Sequence, residues 1–330
     1  MKISNKITSI GNLINVALLF APKPVTIELA SCPKKIMKKI LLTGSDGQVG
    51  RDLQQTLVPM GEIIATNRQQ LDLTSPDNIR QVIQETKPDI IVNSAAYTAV
   101  DKAESEVDLA FAINGIAPAI MAEEAKKIGA FLLHISTDYV FDGTKNTPYL
   151  ETDVTHPLGV YGQSKLAGEQ GIEKNGDRYV ILRTAWVYGT QGKGNFVKTM
   201  LRLGKDKEQL GIVSDQVGSP TWSYDIAQTI TQILTNLNLA EARETYHFTN
   251  SGVASWYDLA VAIFEEGKNL GFPLNIKQVN PITTDEYPTP AKRPHYSVLS
   301  GKKTANLLGY NAPYWRDSLK EMLRQFKVIC

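Results

Sequence analysis

The chain is poor in cysteine: two in 330 residues, Cys32 in a basic N-terminal stretch and Cys330 at the last position. Such a pair builds neither a disulfide framework nor a metal or redox motif, and a reducing, cytoplasmic setting is the expectation. A long apolar run is also missing. The best candidate, Ile14–Phe20, ends against Pro22, Lys23 and Pro24. It is far short of the roughly 20 apolar residues that a membrane span needs, and too short for the core of a signal peptide. Leu29-Ala30-Ser31-Cys32 resembles a lipoprotein cleavage site, but Lys23 stands where the apolar core should be. Charge of one sign is lacking too: the net charge of +1 gives no reason to expect nucleic acid. Residues 1–36 hold five lysines and one acid, a net of +4 that leaves −3 on the rest. The basic excess therefore belongs to the tail. Met37 opens a second plausible start, Met-Lys-Lys-Ile-Leu-Leu-Thr-Gly, so residues 1–36 are expected to be a disordered extension or the product of an upstream start. Internal repeats and low-complexity segments are absent.

A composition of 42% hydrophobic and 21% charged residues suits a soluble globular protein with one large domain and a smaller one. Short apolar runs at Lys39–Thr43, Glu62–Thr66, Ile90–Asn93, Phe131–Ser136 and Tyr179–Arg183 read as strands. They alternate with helical patterns at Gly47–Leu57, Pro76–Thr86, Val107–Ile128 and from Tyr161 through Lys174. The alternation predicts an α/β fold, a doubly wound parallel Rossmann sheet over residues 37–184, with later segments returning to it. Beyond Arg183, Gly and Pro multiply, and helical stretches recur at Asn195–Leu203, Tyr224–Leu237, Ser255–Glu266 and Asp317–Phe326. Residues 185–330 are expected to form a smaller, mainly helical C-terminal substrate lobe.

Thr43-Gly44-Ser45-Asp46-Gly47-Gln48-Val49-Gly50 follows the first strand and opens a helix. Its G-x-x-G-x-x-G spacing, in that strand–turn–helix setting, predicts a cradle for a dinucleotide pyrophosphate. Backbone N–H groups at a helix start face the anion, and a missing Cβ lets the ligand approach. An Asp or Glu ending the second strand would repel a 2′-phosphate. Here Thr66-Asn67-Arg68 stands instead. Arg68 can pair with that phosphate, so NADPH is expected in preference to NADH, with a solvated loop charge as the alternative for Arg68. Asp72-Leu73 is expected near the adenine. The small Ala95 and Ala96, with Tyr97, end a strand on the cofactor side.

Tyr161-Gly162-Gln163-Ser164-Lys165 has the Y-x-x-x-K spacing, one helical turn apart. A lysine ammonium stabilises a phenolate and draws the tyrosine toward working pH. Tyr161 is expected to protonate a carbonyl while Lys165 reaches the phenol and the nicotinamide ribose. Thr137, at a strand end, is the candidate hydroxyl for holding that carbonyl. Ser136 should point the other way, because strand side chains alternate.

These residues, with Ser136-Thr137-Asp138-Tyr139-Val140-Phe141-Asp142-Gly143, Asn93–Glu104, Arg183-Thr184-Ala185-Trp186-Val187-Tyr188, Asp215–Thr221 and Tyr287–Pro294, resemble the dTDP-4-dehydrorhamnose reductase family of extended short-chain dehydrogenases/reductases. The resemblance spans roughly residues 37–328. It implies NADPH-dependent reduction of a 4-keto group on a dTDP-sugar. Thr137, Tyr161 and Lys165 would be the catalytic residues, and Gly47, Gln48 and Val49 would lie on the pyrophosphate. Thr137, Asp138 and Trp186 would contact the sugar nucleotide, with Arg293 toward its diphosphate. Sugar-nucleotide dehydratases carry a second acid after the Thr-Asp pair. Tyr139 occupies that place here, which favours simple reduction. An epimerase and a non-catalytic, nucleotide-binding regulatory subunit remain as alternatives. Some family members use magnesium held by carboxylates at a subunit contact. Asp52 and Asp215 fall in the relevant motifs, so magnesium and a homodimer stay open, without a ligand set.

Overall fold

The structure, a computed structural model, describes residues 37–329, so the expectations for residues 1–36 and for Cys330 lie outside the described residues. The chain enters the first strand at once. Six strands make the central sheet: β1 (Lys38–Thr43), β2 (Gly61–Thr66), β3 (Ile90–Asn93), β4 (Phe131–Thr137), β5 (Tyr179–Thr184) and β6 (Arg243–His247). Their order is β6-β5-β4-β3-β1-β2 and every neighbouring pair is parallel. The direction of strand addition reverses around β1, so the carboxyl ends of β1 and β3 flank a crevice, the usual place for a ligand in an open α/β sheet.

Alternation along each strand builds two cores. Ile40, Leu42, Val92, Leu133, Val180 and Leu182 face one side, where Leu53 of helix Gln48–Thr56 and Ile226 and Ile230 of helix Ser223–Asn236 cover them. Leu41, Ile91, Leu132 and Ile181 face the other, under helices Pro76–Thr86, Ala117–Ile128 and Val160–Asn175. Burial on both faces explains why the strands read as unbroken apolar runs. A third core joins helices Phe196–Asp206, Trp256–Asn269 and Trp315–Ile329 through Val197, Leu201, Ile263, Leu319 and Met322. Among the described residues no helix is long and apolar enough to cross a membrane.

The second half is richer in strands than its composition suggests. Gln209–Val213 pairs in parallel with Gln278–Ile282, and β6 returns to the edge of the main sheet. The predicted continuous helix over Val107–Ile128 also differs. It forms as Val107–Phe111, a wider π-helical turn at Ala112–Ile116, and Ala117–Ile128. Pro118 is the physical reason: it has no N–H for the carbonyl of Asn114, and its ring crowds that turn. The displaced Asn114 carbonyl meets helix Val160–Asn175 at Gly168, where a Cβ would lie 2.1 Å from the oxygen.

That helix is locked to the sheet by a buried ion pair. Arg183 on β5 donates from Nε and Nη2 to the Glu169 carboxylate, with 2.6 Å for the shortest contact. The Glu169 side chain is 1% exposed and that of Arg183 6%. Removing one partner strands the other charge in the core. Glu169→Ala should lower the unfolding free energy by about 3–5 kcal/mol, read from urea denaturation. A loss below about 1 kcal/mol, the range of a solvated pair, would contradict this placement.

Candidate active site

The glycine turn after β1 adopts the geometry its residues allow. Gly44 has φ +69°, and a Cβ there would lie 2.8 Å from the backbone of Ala95. Both features exclude a side chain. The turn is closed by Gly47 N donating to the Gly44 carbonyl at 2.9 Å, and Gly47 then caps helix Gln48–Thr56. Asp46 and Gly47 are exposed, and Gln48 and Val49 half-buried, beside the start of that helix. The Gln48 side chain accepts from Asn195 Nδ2 at 2.7 Å, which ties the turn to the second half of the chain.

At the end of β2, Asn67 folds into its own turn, its Oδ1 accepting from the N–H groups of Gln69 and Gln70. Arg68 is exposed beside it. The Asp72 carboxylate accepts from Thr74 N and Oγ1, bonds that hold its pKa below the usual range. The Leu73 side chain is buried in the core, so only its main chain is available to a ligand. Ala95 and Ala96 are half-buried at the crevice. The Tyr97 hydroxyl donates to Glu106, while the Tyr97 backbone is clamped by Asn114, which accepts from its N–H and donates to its carbonyl.

Tyr161 sits in the first turn of helix Val160–Asn175, whose start is held by Glu104 Oε1 accepting from Val160 N at 2.9 Å. A carboxylate suits that position because the helix N-terminus is positive. Gly162 lets the helix seat closely on the turn after β4, since a Cβ there would lie 2.2 Å from the Tyr139 carbonyl. The close approach brings Tyr161 against Thr137, and the rings of Tyr139 and Tyr161 meet edge to face at 5.4 Å. Burial pushes the Tyr161 phenol up to about 12, the Thr137 hydroxyl works against this, and the Asp138 charge adds to it. Lys165 is 1% exposed, and burial lowers its pKa to about 8. Its Nζ donates to the Ile135 carbonyl at 2.7 Å and lies 3.0 Å from His134 Nε2. These, rather than the phenol, are its hydrogen-bond partners. Thr137 Oγ1 donates to Asp138 Oδ1, and Ser136 Oγ is buried without a partner among the described residues.

Trp186 has φ +48°, a left-handed conformation that a large side chain adopts only under constraint. The constraint is a stack: its ring lies 3.6 Å from that of Trp256, nearly coplanar at 3°. Arg293 is already engaged. It donates to Asp101 Oδ2 at 2.8 Å, to the Ala291 carbonyl and to Thr289 Oγ1. Among the described residues no magnesium ligand set is gathered. Asp52 accepts from Ser223 Oγ at 2.5 Å, and Asp215 from Thr284 N and Oγ1. Among the described residues no group of three or more His, Cys, Asp or Glu could hold a metal ion.

Three residues of the site escape a reading by motif: Asn114, Ser164 and His134. Asn114 Nδ2 also bonds Ser164 Oγ at 3.1 Å, joining the Tyr97 loop to the tyrosine helix. Pro118 inside a helical pattern was the available signal, because a proline displaces the turn before it.

A family model described as the RmlD substrate binding domain matches residues 37–328. A dTDP-4-dehydrorhamnose reductase of Escherichia coli K12 is 43% identical over 291 residues, 87% of this chain and 97% of that one. A crystal structure of such a reductase from Clostridium acetobutylicum aligns with TM-score 0.81 and 42% identity, covering 88% of this chain and 99% of that one. One from Bacillus anthracis, in complex with NADP, aligns with TM-score 0.81 and 37% identity over 88% and 100% of the two chains.

Asp138 offers a test of the site's electrostatics. It is 1% exposed, Oδ2 has no partner among the described residues, and burial raises its pKa to about 6. A raised folded-state value means that the carboxyl is tolerated while protonated and destabilises as pH rises from about 4 through about 6. Asp138→Asn should therefore stabilise the fold at pH 7.5 by about 2–3 kcal/mol, with the gain gone by about pH 4. Equal stability of the two proteins at both pH values would contradict a carboxylate whose burial outweighs the hydroxyls of Ser297 and Thr137 beside it.

Proposed function

The chain belongs to the dTDP-4-dehydrorhamnose reductase family, and from that premise we propose that it reduces the 4-keto group of dTDP-4-dehydro-β-L-rhamnose with NADPH, giving dTDP-β-L-rhamnose. One observation carries the reading: the glycine turn and the Tyr161–Lys165 helix meet at the same carboxyl edge of one parallel sheet.

The residues fit the cofactor. Gly47 is exposed at the N-cap of the helix that follows, so its backbone is open to an anion at the helix start. Gly44, Asp46, Gly47, Gln48 and Val49 would hold the pyrophosphate. Asn67 and Arg68 would take the 2′-phosphate, the Asp72-Leu73 backbone would lie near the adenine, and Ala95, Ala96 and Tyr97 would border the crevice. When bound, NADPH supplies the hydride for the keto carbon. Tyr161 supplies the proton for the oxygen. Its raised pKa keeps it protonated at neutral pH, the state a donor must start from. Lys165, with a pKa of about 8, is mostly charged there and stabilises the phenolate left behind. The Thr137 hydroxyl holds the keto oxygen. Asp138 lies beside the sugar, and Trp186 offers a ring face to the nucleotide. Arg293 meets the diphosphate by exchanging Asp101 for it, as one guanidinium can. Residues 37–184 would then serve mainly the cofactor and residues 185–330 mainly the sugar nucleotide.

Thr137, Tyr161 and Lys165 stand together, which disfavours a purely binding subunit. The lack of a second acid beside Asp138 disfavours dehydration. The test is NADPH oxidation by the purified protein with the dTDP-4-keto-6-deoxy-L-sugar. Tyr161→Phe should lower kcat by about 10²–10⁴-fold and leave NADPH affinity, read by fluorescence, within about twofold of wild type. Turnover retained in Tyr161→Phe would remove the tyrosine from the mechanism. Arg68→Ala should narrow the preference for NADPH over NADH by about tenfold. An unchanged ratio of kcat/KM values would make Arg68 a solvated loop charge.

A further inference from the structure

The inner side of Lys165 opens onto a line of polar groups that the chemistry above does not use. Lys165 Nζ lies 3.0 Å from His134 Nε2, His134 Nδ1 lies 2.9 Å from Asn93 Nδ2, and Thr43 Oγ1 donates to Asn93 Oδ1 at 2.7 Å. Thr43, Asn93 and His134 are cross-strand partners on β1, β3 and β4, so the line runs straight across the sheet from the lysine. None of the three is more than 1% exposed. The residues just before them, Leu41 and Leu42, Ile91 and Val92, and Leu132 and Leu133, are apolar and buried. A row of polar side chains in register at such depth is costly unless every member is paired.

We propose that His134, held by Asn93 and Thr43, is a positioning residue for the reduction: it fixes the Lys165 amino group and keeps its contact with that group paired when the lysine changes charge. The proposal rests on the reductase reading for its effect on turnover, but not for the proton arrangement itself. An ammonium only donates. While Lys165 is charged, Nε2 accepts and the ring proton sits on Nδ1. Asn93 meets that proton through its amide oxygen after a half-turn that exchanges its oxygen and nitrogen, and Thr43 accepts from the amide nitrogen. When Lys165 is neutral, the ring proton sits on Nε2 and the amine accepts it. Asn93 Nδ2 then donates to Nδ1, and Thr43 donates to Oδ1. Both arrangements keep Lys165, the ring and the Asn93 group facing the ring paired. The ring stays neutral in each, since burial and the lysine charge hold the His134 pKa well below its ordinary value. The Ile135 carbonyl is a second anchor at 2.7 Å, so two of the three N–H directions of the ammonium are fixed by the protein. The titratable groups around Lys165 are Tyr161 and Glu169 on its own helix, His134 on β4, Asp138 beyond the end of β4, and Arg183 on β5, which is paired with Glu169.

The test is the pH profile of NADPH-dependent turnover of the keto sugar. Its alkaline limb reports Lys165 losing charge. His134→Leu removes the acceptor, so the charged form loses support and the limb should move down by about one pH unit. Turnover near pH 8 should fall about fivefold and recover toward wild type in mild acid. His134→Gln restores an acceptor and should bring the limb back. A uniform loss at every pH, or an unmoved limb, would overturn the proposal. The imidazole ¹⁵N signals of His134 in the wild-type full-length chain give a second readout that needs neither a folded variant nor the right sugar. The ring proton should shift from Nδ1 to Nε2 as pH rises through the Lys165 titration. A single tautomer across that range would overturn the proposal, whatever the substrate proves to be.

Discussion

A lysine amino group 1% exposed, at the edge of a parallel sheet, is the constraint around which this molecule is arranged. Burying an ammonium is unfavourable unless polar groups meet it. The Ile135 carbonyl and His134 do so from the strand, and Glu169 lends negative charge from one turn further along the helix. Glu169 must in turn be neutralised by Arg183. The helix that carries Lys165 can come this close because Gly162 and Gly168 leave space for the carbonyls of Tyr139 and Asn114. The outcome is a lysine whose pKa falls to about 8, mostly charged at neutrality but poised to lose its proton just above it.

Several departures from comfortable packing gather at the same edge. Trp186 occupies a left-handed backbone conformation and is kept there by its stack on Trp256. Asp138 is buried with one oxygen unpartnered among the described residues. The helix before β4 widens into a π turn at Asn114. Strain and unpaired groups of this kind persist where the surroundings over-determine them. Here the surroundings are two apolar cores, one on each face of the sheet, which supply rigidity without touching the chemistry.

The sheet strands of the first half were legible because burial on both faces gives each a short apolar run. Helix Pro76–Thr86 was legible end to end because Ile79, Val82 and Ile83 keep a helical period behind Pro76. The second half read less well. Gln209–Val213 and Gln278–Ile282 are short and flanked by loops, and β6, Arg-Glu-Thr-Tyr-His, carries no apolar run at all. Its place at the sheet edge comes from pairing with β5, a contact that local pattern does not encode. The site divides in the same way. Gly44, Tyr161 and Lys165 announced themselves through spacing, since turn and helix geometry act over a few residues. Two contacts did not: Arg293 on Asp101, 192 residues away, and His134 beneath Lys165. A histidine inside a buried strand reads as core until its neighbours are known.

In the proposed reaction hydride reaches the sugar carbon while Tyr161 protonates its oxygen. The direct measurement is turnover with NADPH deuterated at the transferring position of the nicotinamide, followed by NMR of the product. One deuterium is expected on C4 of a 6-deoxy-L-sugar still linked to its nucleotide, with one NADPH consumed per product. Product carrying no deuterium, or sugar inverted with no net consumption of NADPH, would contradict it.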